Sequence, residues 1–359
     1  MIKKMNVLLT GASGTVGSEV LQQLATMKNI RLTVFDKLTK RTKKLFAPYK
    51  NSIEIIYGDL CNREDIRNIP VNMDAVIHLA AIIPPLADEK PDLTYKVNVL
   101  GTKSLIDQLE VTSPNAFLLY SSSISVYGDR IKTPFIKSTD PISPSENDIY
   151  AESKIEAEKL IRNSHLAWSV FRLAAIMKNH KISKLMFHMP LSTKLEICTP
   201  TDTAKAFTEA VFKRNQLNQK IFNLGGGELC CTTYEDFLER SFGIFGLGAL
   251  NFPKLAFANR NFHCGFYEDG YLLEEILHFR NDTLETYFEK QKESIPLVTK
   301  ILAFTFRYFI KKFLLKQSEP YNSIRKNNKS LMEQFFGKTD ISFRGISARN
   351  KAKLYEPAI

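Results

Sequence analysis

The chain has 359 residues, 44% of them hydrophobic, and a formal net charge of +11, enough apolar material for one large domain or two smaller ones. The charge is unevenly placed: residues 290–359 hold 15 Lys/Arg against 5 Asp/Glu, an excess of +10, so the chain has a basic tail and lacks the general basic surface of a nucleic-acid binder. Five cysteines (Cys61, Cys198, Cys230, Cys231, Cys264) without C-x-x-C spacing, and six histidines without an H-x-x-x-H pair, argue against a disulfide framework or a metal site and for reduced thiols in the cytoplasm.

The start, "MIKKMNVLLTG", is basic and then apolar, but the apolar run is too short for a signal peptide and reads as a first strand, 6–10. Further apolar, β-branched and aromatic runs follow at 31–36, 53–60, 74–81, 116–123 and 168–172. They are nearly continuous, as strands buried on both faces should be. Helical patterns lie between them, at 64–68, 92–110 and 147–163. Strand, helix and strand in alternation predict an α/β doubly wound parallel sheet of Rossmann type, with ligands beyond the carboxyl ends of the strands. Residues 1–177 are therefore expected to form a dinucleotide-binding core. Residues 178–290 form a smaller substrate lobe that returns a helix at 199–211 and a strand at 220–226 to the core. Residues 291–359 form a basic helical extension and tail, polar and weakly patterned from Gln317 onward.

Between the first strand and first helix, "TGASGTVG" places Gly11, Gly14 and Gly17 three apart. Without a Cβ the turn is tight and a pyrophosphate can approach the main chain, where the helix N-terminus adds unpaired donors. A packed turn without a ligand gives the same pattern. Asp36, which ends the second strand about 20 residues past the loop, favours the ligand, because a carboxylate there accepts hydrogen bonds from both adenosine ribose hydroxyls. It also repels a 2′-phosphate, so NAD is favoured over NADP. Lys37, Lys40 and Arg41 follow closely and act in the opposite sense.

"SSSISVYG" (121–128) ends the fifth strand, where a serine hydroxyl can bond a substrate oxygen and stabilise its developing charge. "YAESK" puts Tyr150 and Lys154 four apart on one helical face. A phenol with an ordinary pKa near ~10 is a poor base at neutral pH. A neighbouring ammonium, helped by an oxidised nicotinamide, is expected to lower it, so that tyrosine takes a proton from an alcohol as hydride leaves.

These motifs, with VFD, GDL, "AVIHLAA", "YKVNVLGTKSLID" (95–107) and "FRLAAI" (171–176), resemble in order and spacing the extended short-chain dehydrogenase/reductases, including the NAD-dependent epimerase/dehydratase group. The resemblance covers residues 6–226. It implies that Ser123, Tyr150 and Lys154 are catalytic: Ser123 binds the substrate oxygen, Tyr150 is the acid/base, and Lys154 binds the nicotinamide ribose and tunes Tyr150. It implies a cofactor site from Gly11, Ala12, Ser13, Gly14, Thr15, Val16 and Gly17, with Asp36 and Lys37. Asp59 and Leu60 would meet the adenine, and Ala80, Ala81, Asn98, Ser121 and Ala174 would line the cofactor beside Tyr150 and Lys154. His78, inside a strand motif, reads as structural, and Asp202 in "TPTDTAKA" as a helix cap.

Two departures narrow the chemistry. After Arg172 come Leu173, Ala174 and Ala175, without the asparagine that grips a nucleotide-sugar pyrophosphate. After Ser123 come Ile124 and Ser125, without the Asp-Glu pair of sugar dehydratases, which excludes their elimination step. The expected function is hydride transfer at a secondary alcohol or ketone by an NAD(P)-dependent oxidoreductase or epimerase. The alternatives are a non-catalytic dinucleotide sensor or scaffold, and a membrane-peripheral dehydrogenase of a lipid or sterol-like alcohol. Phe- and Leu-rich stretches within 233–290 predict a rather apolar pocket.

"IPLVTKILAFTFRYFIKKFLLK" (295–316) carries Leu302, Phe306, Phe309 and Phe313 on one helical face and Lys300, Arg307 and Lys311 on another. Its interior cations argue against a transmembrane span. The apolar stripe is expected to pack on the domain or on a second subunit in a homodimer; contact with a membrane surface is the alternative.

Overall fold

The computed structural model describes residues 4–178, 182–260 and 263–337. Its strands are β1 Met5–Thr10, β2 Ile30–Asp36, β3 Glu54–Tyr57, β4 Ala75–His78, β5 Phe117–Ser123, β6 Phe135–Ile136 and β7 Ala167–Leu173. Short strands β8 Ala175–Ile176, β9 Lys194–Cys198, β10 Lys220–Leu224, β11 Cys231–Thr233 and β12 Phe266–Tyr267 follow. Helices α1 Thr15–Ala25, α2 Lys40–Phe46, α3 Arg63–Arg67, α4 Leu86–Glu89, α5 Pro91–Tyr95, α6 Thr102–Thr112 and α7 Ile149–Arg162 belong to the first half. The second half adds α8 Pro200–Ala210, α9 Arg214–Leu217, α10 Tyr234–Ile244, α11 Tyr271–Leu277, α12 Leu284–Ser294, α13 Leu297–Gln317, α14 Glu319–Arg325 and α15 Lys329–Phe336.

Seven strands form one sheet in the order β3-β2-β1-β4-β5-β7-β10, every neighbouring pair parallel. Successive side chains enter opposite layers, as the two-residue strand period requires. Val7, Leu9, Ile77 and Leu119 pack with α1 and α8 through Leu21, Leu24 and Phe207. Leu8, Val76 and Leu118 pack with α6 and α7 through Leu105, Leu109 and Ile161. Burial on both faces explains why these strands read as unbroken apolar runs. The strand order reverses between β1 and β4, which opens the crevice at their carboxyl ends. The region after residue 178 returns α8 and β10 to this core and builds its own apolar layer around Phe187, Leu195, Phe237 and Phe242.

Three stretches differ from the sequence-based expectation. The helix expected over 92–110 is interrupted by a π-helical turn, Lys96–Gly101, between α5 and α6. Such turns are frequent at functional sites, and this one carries the buried Asn98. The tail expected to be weakly patterned from Gln317 is helical over α14 and α15. Ser318 and Asn328 cap those helices, and Tyr321, Met332, Phe335 and Phe336 are buried. Residues 338–359 of that tail lie outside the described residues. Finally, α13 does not pack its aromatic stripe on the domain. Ala303, Ile310 and Leu314 face the body, and Lys311 Nζ donates to the Ala249 carbonyl and Asn251 Oδ1, both at 2.6 Å. The face carrying Lys311 is the docked one.

Candidate active site

β1 delivers the chain into Gly11, whose φ of +73° suits glycine. A Cβ on Gly11 would stand 2.5 Å from the Ala80 nitrogen, and one on Gly17 would run into the Gly11 carbonyl oxygen. Gly14 begins α1 with extended backbone, no side-chain cap and no acidic residue in the first turn. Those helix N–H donors are the groups a pyrophosphate needs, and Thr15 and Val16 stand in that turn. Ala12 is buried beneath the loop.

Asp36 ends β2 and accepts from the Ser13 N–H and the Lys37 N–H, both at 2.7 Å. It thereby fixes the glycine loop against the second strand. Lys37 is paired with Asp59 at 2.9 Å, and Arg41 donates to the Ser13 carbonyl at 3.1 Å. Partial burial works to raise the Asp59 carboxyl, but Lys37 and the Cys61 N–H outweigh it and hold the pKa below the ordinary value. Leu60 is buried in the layer that contains Phe35 and Ile66. Ala80 and Ala81, half-buried, follow β4 beside the loop. A dinucleotide fits this donor set: a Cβ-free turn, an uncapped helix start and a carboxylate at the end of the second strand.

Ser121 and Ser123 lie at the carboxyl end of β5, and Ser121 Oγ donates to the His78 carbonyl at 3.3 Å. Tyr150, in the first turn of α7, stands close enough to the Ser123 side chain for that hydroxyl to favour its ionised form, and Ser123 Oγ accepts from the Ser125 N–H at 3.2 Å. One turn on, Lys154 Nζ donates to the Ser121 carbonyl at 2.7 Å and stands 5.7 Å from the Tyr150 ring centroid. The Asp148 cap, accepting from the Ala151 N–H at 2.8 Å, sets where α7 begins and so where both side chains fall. The three residues expected to be catalytic are thus brought together.

Their electrostatics differ from expectation. Burial raises the Tyr150 phenol to about 12, with Asp148 adding to the rise and Ser123 opposing it. Burial lowers Lys154 to about 7, opposed by Glu158. The ammonium bonds the Ser121 carbonyl instead of the phenol, so the chain alone does not lower Tyr150.

Asn98 was expected against the cofactor, yet its polar atoms are engaged inside the chain. Oδ1 accepts from the Ile82 N–H at 2.7 Å, and Nδ2 donates to the Ile82 carbonyl and to Ser153 Oγ, each at 3.0 Å. It clamps the segment after β4 to α7. The Ala174 N–H is likewise taken by the Leu224 carbonyl at 2.9 Å. His78 spans Thr10 Oγ1 at 2.7 Å and Thr102 Oγ1 at 2.9 Å. Burial, reinforced by Lys154, lowers its pKa to about 3, so it is a neutral strut. Asp202 is not the expected cap: Thr199 caps α8 by accepting from the Asp202 N–H at 3.2 Å, and the Asp202 carboxylate instead accepts from the N–H groups of Asn281 and Asp282, both at 2.8 Å.

One group escaped the sequence reading. Glu158 and Arg172, each 2% exposed, form an ion pair of 2.8 Å, and Ser122 Oγ donates to the same carboxylate. Arg172 donates to the Tyr127 hydroxyl, which donates to Asn223 Oδ1, whose amide donates to Asp269, each bond 2.8 Å. Asp269 also accepts from the Ser138 N–H and Oγ, both at 2.6 Å. The available signal was spacing: Glu158 continues the four-residue ladder of Tyr150 and Lys154 along α7.

Residues 7–181 match the model of the NAD dependent epimerase/dehydratase family. The chain is 30% identical over 159 residues to the decarboxylating sterol-4-alpha-carboxylate 3-dehydrogenase of Schizosaccharomyces pombe, covering 44% of this chain and 45% of that one. It is 28% identical over 188 residues to the UDP-glucose 4-epimerase of Erwinia amylovora, covering 48% and 52%. The chain therefore spans about half the length of the curated relatives it matches. In fold it is similar to a short-chain dehydrogenase/reductase superfamily protein of Agrobacterium tumefaciens solved with bound NAD, with a TM-score of 0.65 at 17% identity, covering 84% of this chain and 99% of that one. Over residues 7–181, just under half of its length, the chain is thus similar to the NAD dependent epimerase/dehydratase family.

Proposed function

We propose that this chain is an NAD-dependent oxidoreductase or epimerase that moves hydride at a secondary alcohol or ketone, with Tyr150 as acid/base. The observation that carries this reading is the contact of the Tyr150 phenol with Ser123, with Lys154 one turn away, at the strand ends beside the glycine loop. Bound NAD supplies the acceptor and donor of hydride.

The chain's own residues hold the parts. The α1 N-terminus and the Cβ-free loop receive the pyrophosphate, and Asp36 faces the adenosine ribose. Lys37 and Arg41, engaged by Asp59 and the Ser13 carbonyl, are less available to a 2′-phosphate, which favours NAD over NADP. Ser123 Oγ holds the substrate oxygen near Tyr150 Oη. A phenol near 12 is protonated at neutral pH, so Tyr150 is ready to donate its proton to a carbonyl oxygen. In the opposite direction the phenolate form of Tyr150, once its own proton has left to water, takes the hydroxyl proton of the alcohol. Lys154 lies one turn below, where it can hold a ribose hydroxyl and add positive charge beside the phenol. Asn98 acts by clamping the Ile82 segment to α7. We assign cofactor binding to residues 1–177, substrate contacts to 178–290 and an extension to 291–359. The five free cysteines fit a reducing, cytoplasmic setting.

A second reading, a lipid or sterol-like alcohol as substrate, is favoured by Ile83 and Leu86. Both are exposed apolar side chains just beyond the Asn98 clamp. It also fits the similarity to the Schizosaccharomyces pombe sterol enzyme.

The test is the Tyr150→Phe chain against wild type, with NAD and NADP, on a panel of UDP-hexoses and 3-hydroxysteroids. Formation of reduced nicotinamide reports net oxidation, and chromatography of the sugars reports epimers. Turnover by wild type that Tyr150→Phe lowers by about 10²–10⁴-fold is expected. Equal turnover by both would remove Tyr150 from the chemistry, and nucleotide binding without any turnover would favour the scaffold.

A further inference from the structure

Helix α13 keeps most of its apolar surface in water. Nine of its 21 residues are large apolar or aromatic side chains more than half exposed, among them Leu302, Phe306, Phe309 and Phe313 at 53%, 51%, 66% and 61%. The stripe runs along a helix of roughly 31 Å at 1.5 Å per residue. Monomeric soluble proteins rarely leave so continuous an apolar face uncovered.

The charge says what covers it. α13 holds five cations, Lys300, Arg307, Lys311, Lys312 and Lys316, and no acidic residue. Lys311 is engaged by the body of the protein. Lys312 and Lys316 are exposed and follow Phe309 and Phe313, respectively, by three residues. The Arg307 guanidinium lies 4.1 Å from the Phe304 ring centroid, and Lys312 Nζ lies 5.9 Å from that of Tyr308. Aromatic rings with cations beside them suit the boundary between acyl chains and headgroups, where long basic side chains keep their charge in water. A second copy of α13 would bring cation against cation. No helix among the described residues is long and apolar enough to cross a membrane. The sequence from 338 to 359 adds further Lys and Arg.

We propose that α13 is a membrane-surface anchor that lays its Phe and Leu face into an anionic lipid bilayer. Its cations engage the headgroups, and the dinucleotide-binding core remains in water. This goes beyond the hydride-transfer reading and stands or falls separately from it.

The test is flotation of the full chain with phosphatidylcholine vesicles, with and without phosphatidylglycerol. Wild type is compared with Phe306→Glu/Phe309→Glu and with Lys312→Glu/Lys316→Glu. All four positions are exposed, so circular dichroism and the thermal midpoint should be unchanged. Wild type is expected to float with phosphatidylglycerol vesicles. The bound fraction should fall about tenfold in each double variant, without anionic lipid, or in high salt. Absence of flotation by folded wild type, or equal flotation by all three proteins, overturns the proposal. Sedimentation provides a second check: a wild-type dimer that Phe306→Glu/Phe309→Glu splits, with no vesicle binding, would make a second copy the occupant and overturn it too.

Discussion

Burial moves Tyr150 and Lys154 in opposite directions, the phenol up to about 12 and the ammonium down to about 7. For Lys154 this has a consequence that can be measured without a substrate. Between about 7 and its ordinary value of 10.5 the unfolded chain binds a proton that the folded chain does not, so stability rises with pH across that window. The stability of wild type minus that of Lys154→Met, from urea unfolding, is therefore expected to increase from pH 7 to pH 10.5. A flat difference would show that Lys154 is not desolvated. Tyr150 and Lys154 were legible from spacing and from the family resemblance. The internal engagement of Asn98 was not, because its partners Ile82 and Ser153 are 16 and 55 residues away and only the folded chain joins them.

The glycine turn and the π-helical turn set the limits of what single elements can tolerate. Gly17→Ala places a methyl group against the Gly11 carbonyl, and overpacking of this kind costs about 1–3 kcal/mol. It should also displace the loop that would receive the pyrophosphate. A thermal midpoint below wild type, with loss of NAD binding, is the expected result. Strands buried on both faces announced themselves in composition, and the core strands lie where the apolar runs predicted. The π-helical turn was hidden because an extra residue in one turn leaves local composition unchanged. α14 and α15 were hidden because short helices held by Tyr321, Phe335 and Phe336 owe their stability to tertiary packing, not to a long amphipathic pattern. In α13 the periodicity predicts the helix, but which face docks depends on Ala303, Ile310 and Leu314 meeting the Phe242 layer, which sequence does not disclose.

Across the whole molecule, the buried chain of Glu158, Arg172, Tyr127, Asn223 and Asp269 ties α7 to the region after residue 178. Removing one partner leaves a charge buried and unpaired. Glu158→Gln or Arg172→Met is thus expected to cost about 3–5 kcal/mol of stability, measured by denaturant unfolding. The double change should recover part of that loss. A loss below about 1 kcal/mol for the single changes would mean that water reaches the pair. Doubly wound topology, the glycine loop and the Ser123, Tyr150 and Lys154 constellation were legible because each depends on local pattern and order along the chain. The polar network was not, since its members are scattered over more than a hundred residues. The most direct measurement is calorimetric titration of NAD into the full-length wild-type chain and into Tyr150→Phe and Gly17→Ala. Saturable binding by wild type and Tyr150→Phe but not by Gly17→Ala is predicted, whereas a folded wild-type chain that binds neither NAD nor NADP would contradict the dinucleotide site on which the proposed chemistry rests.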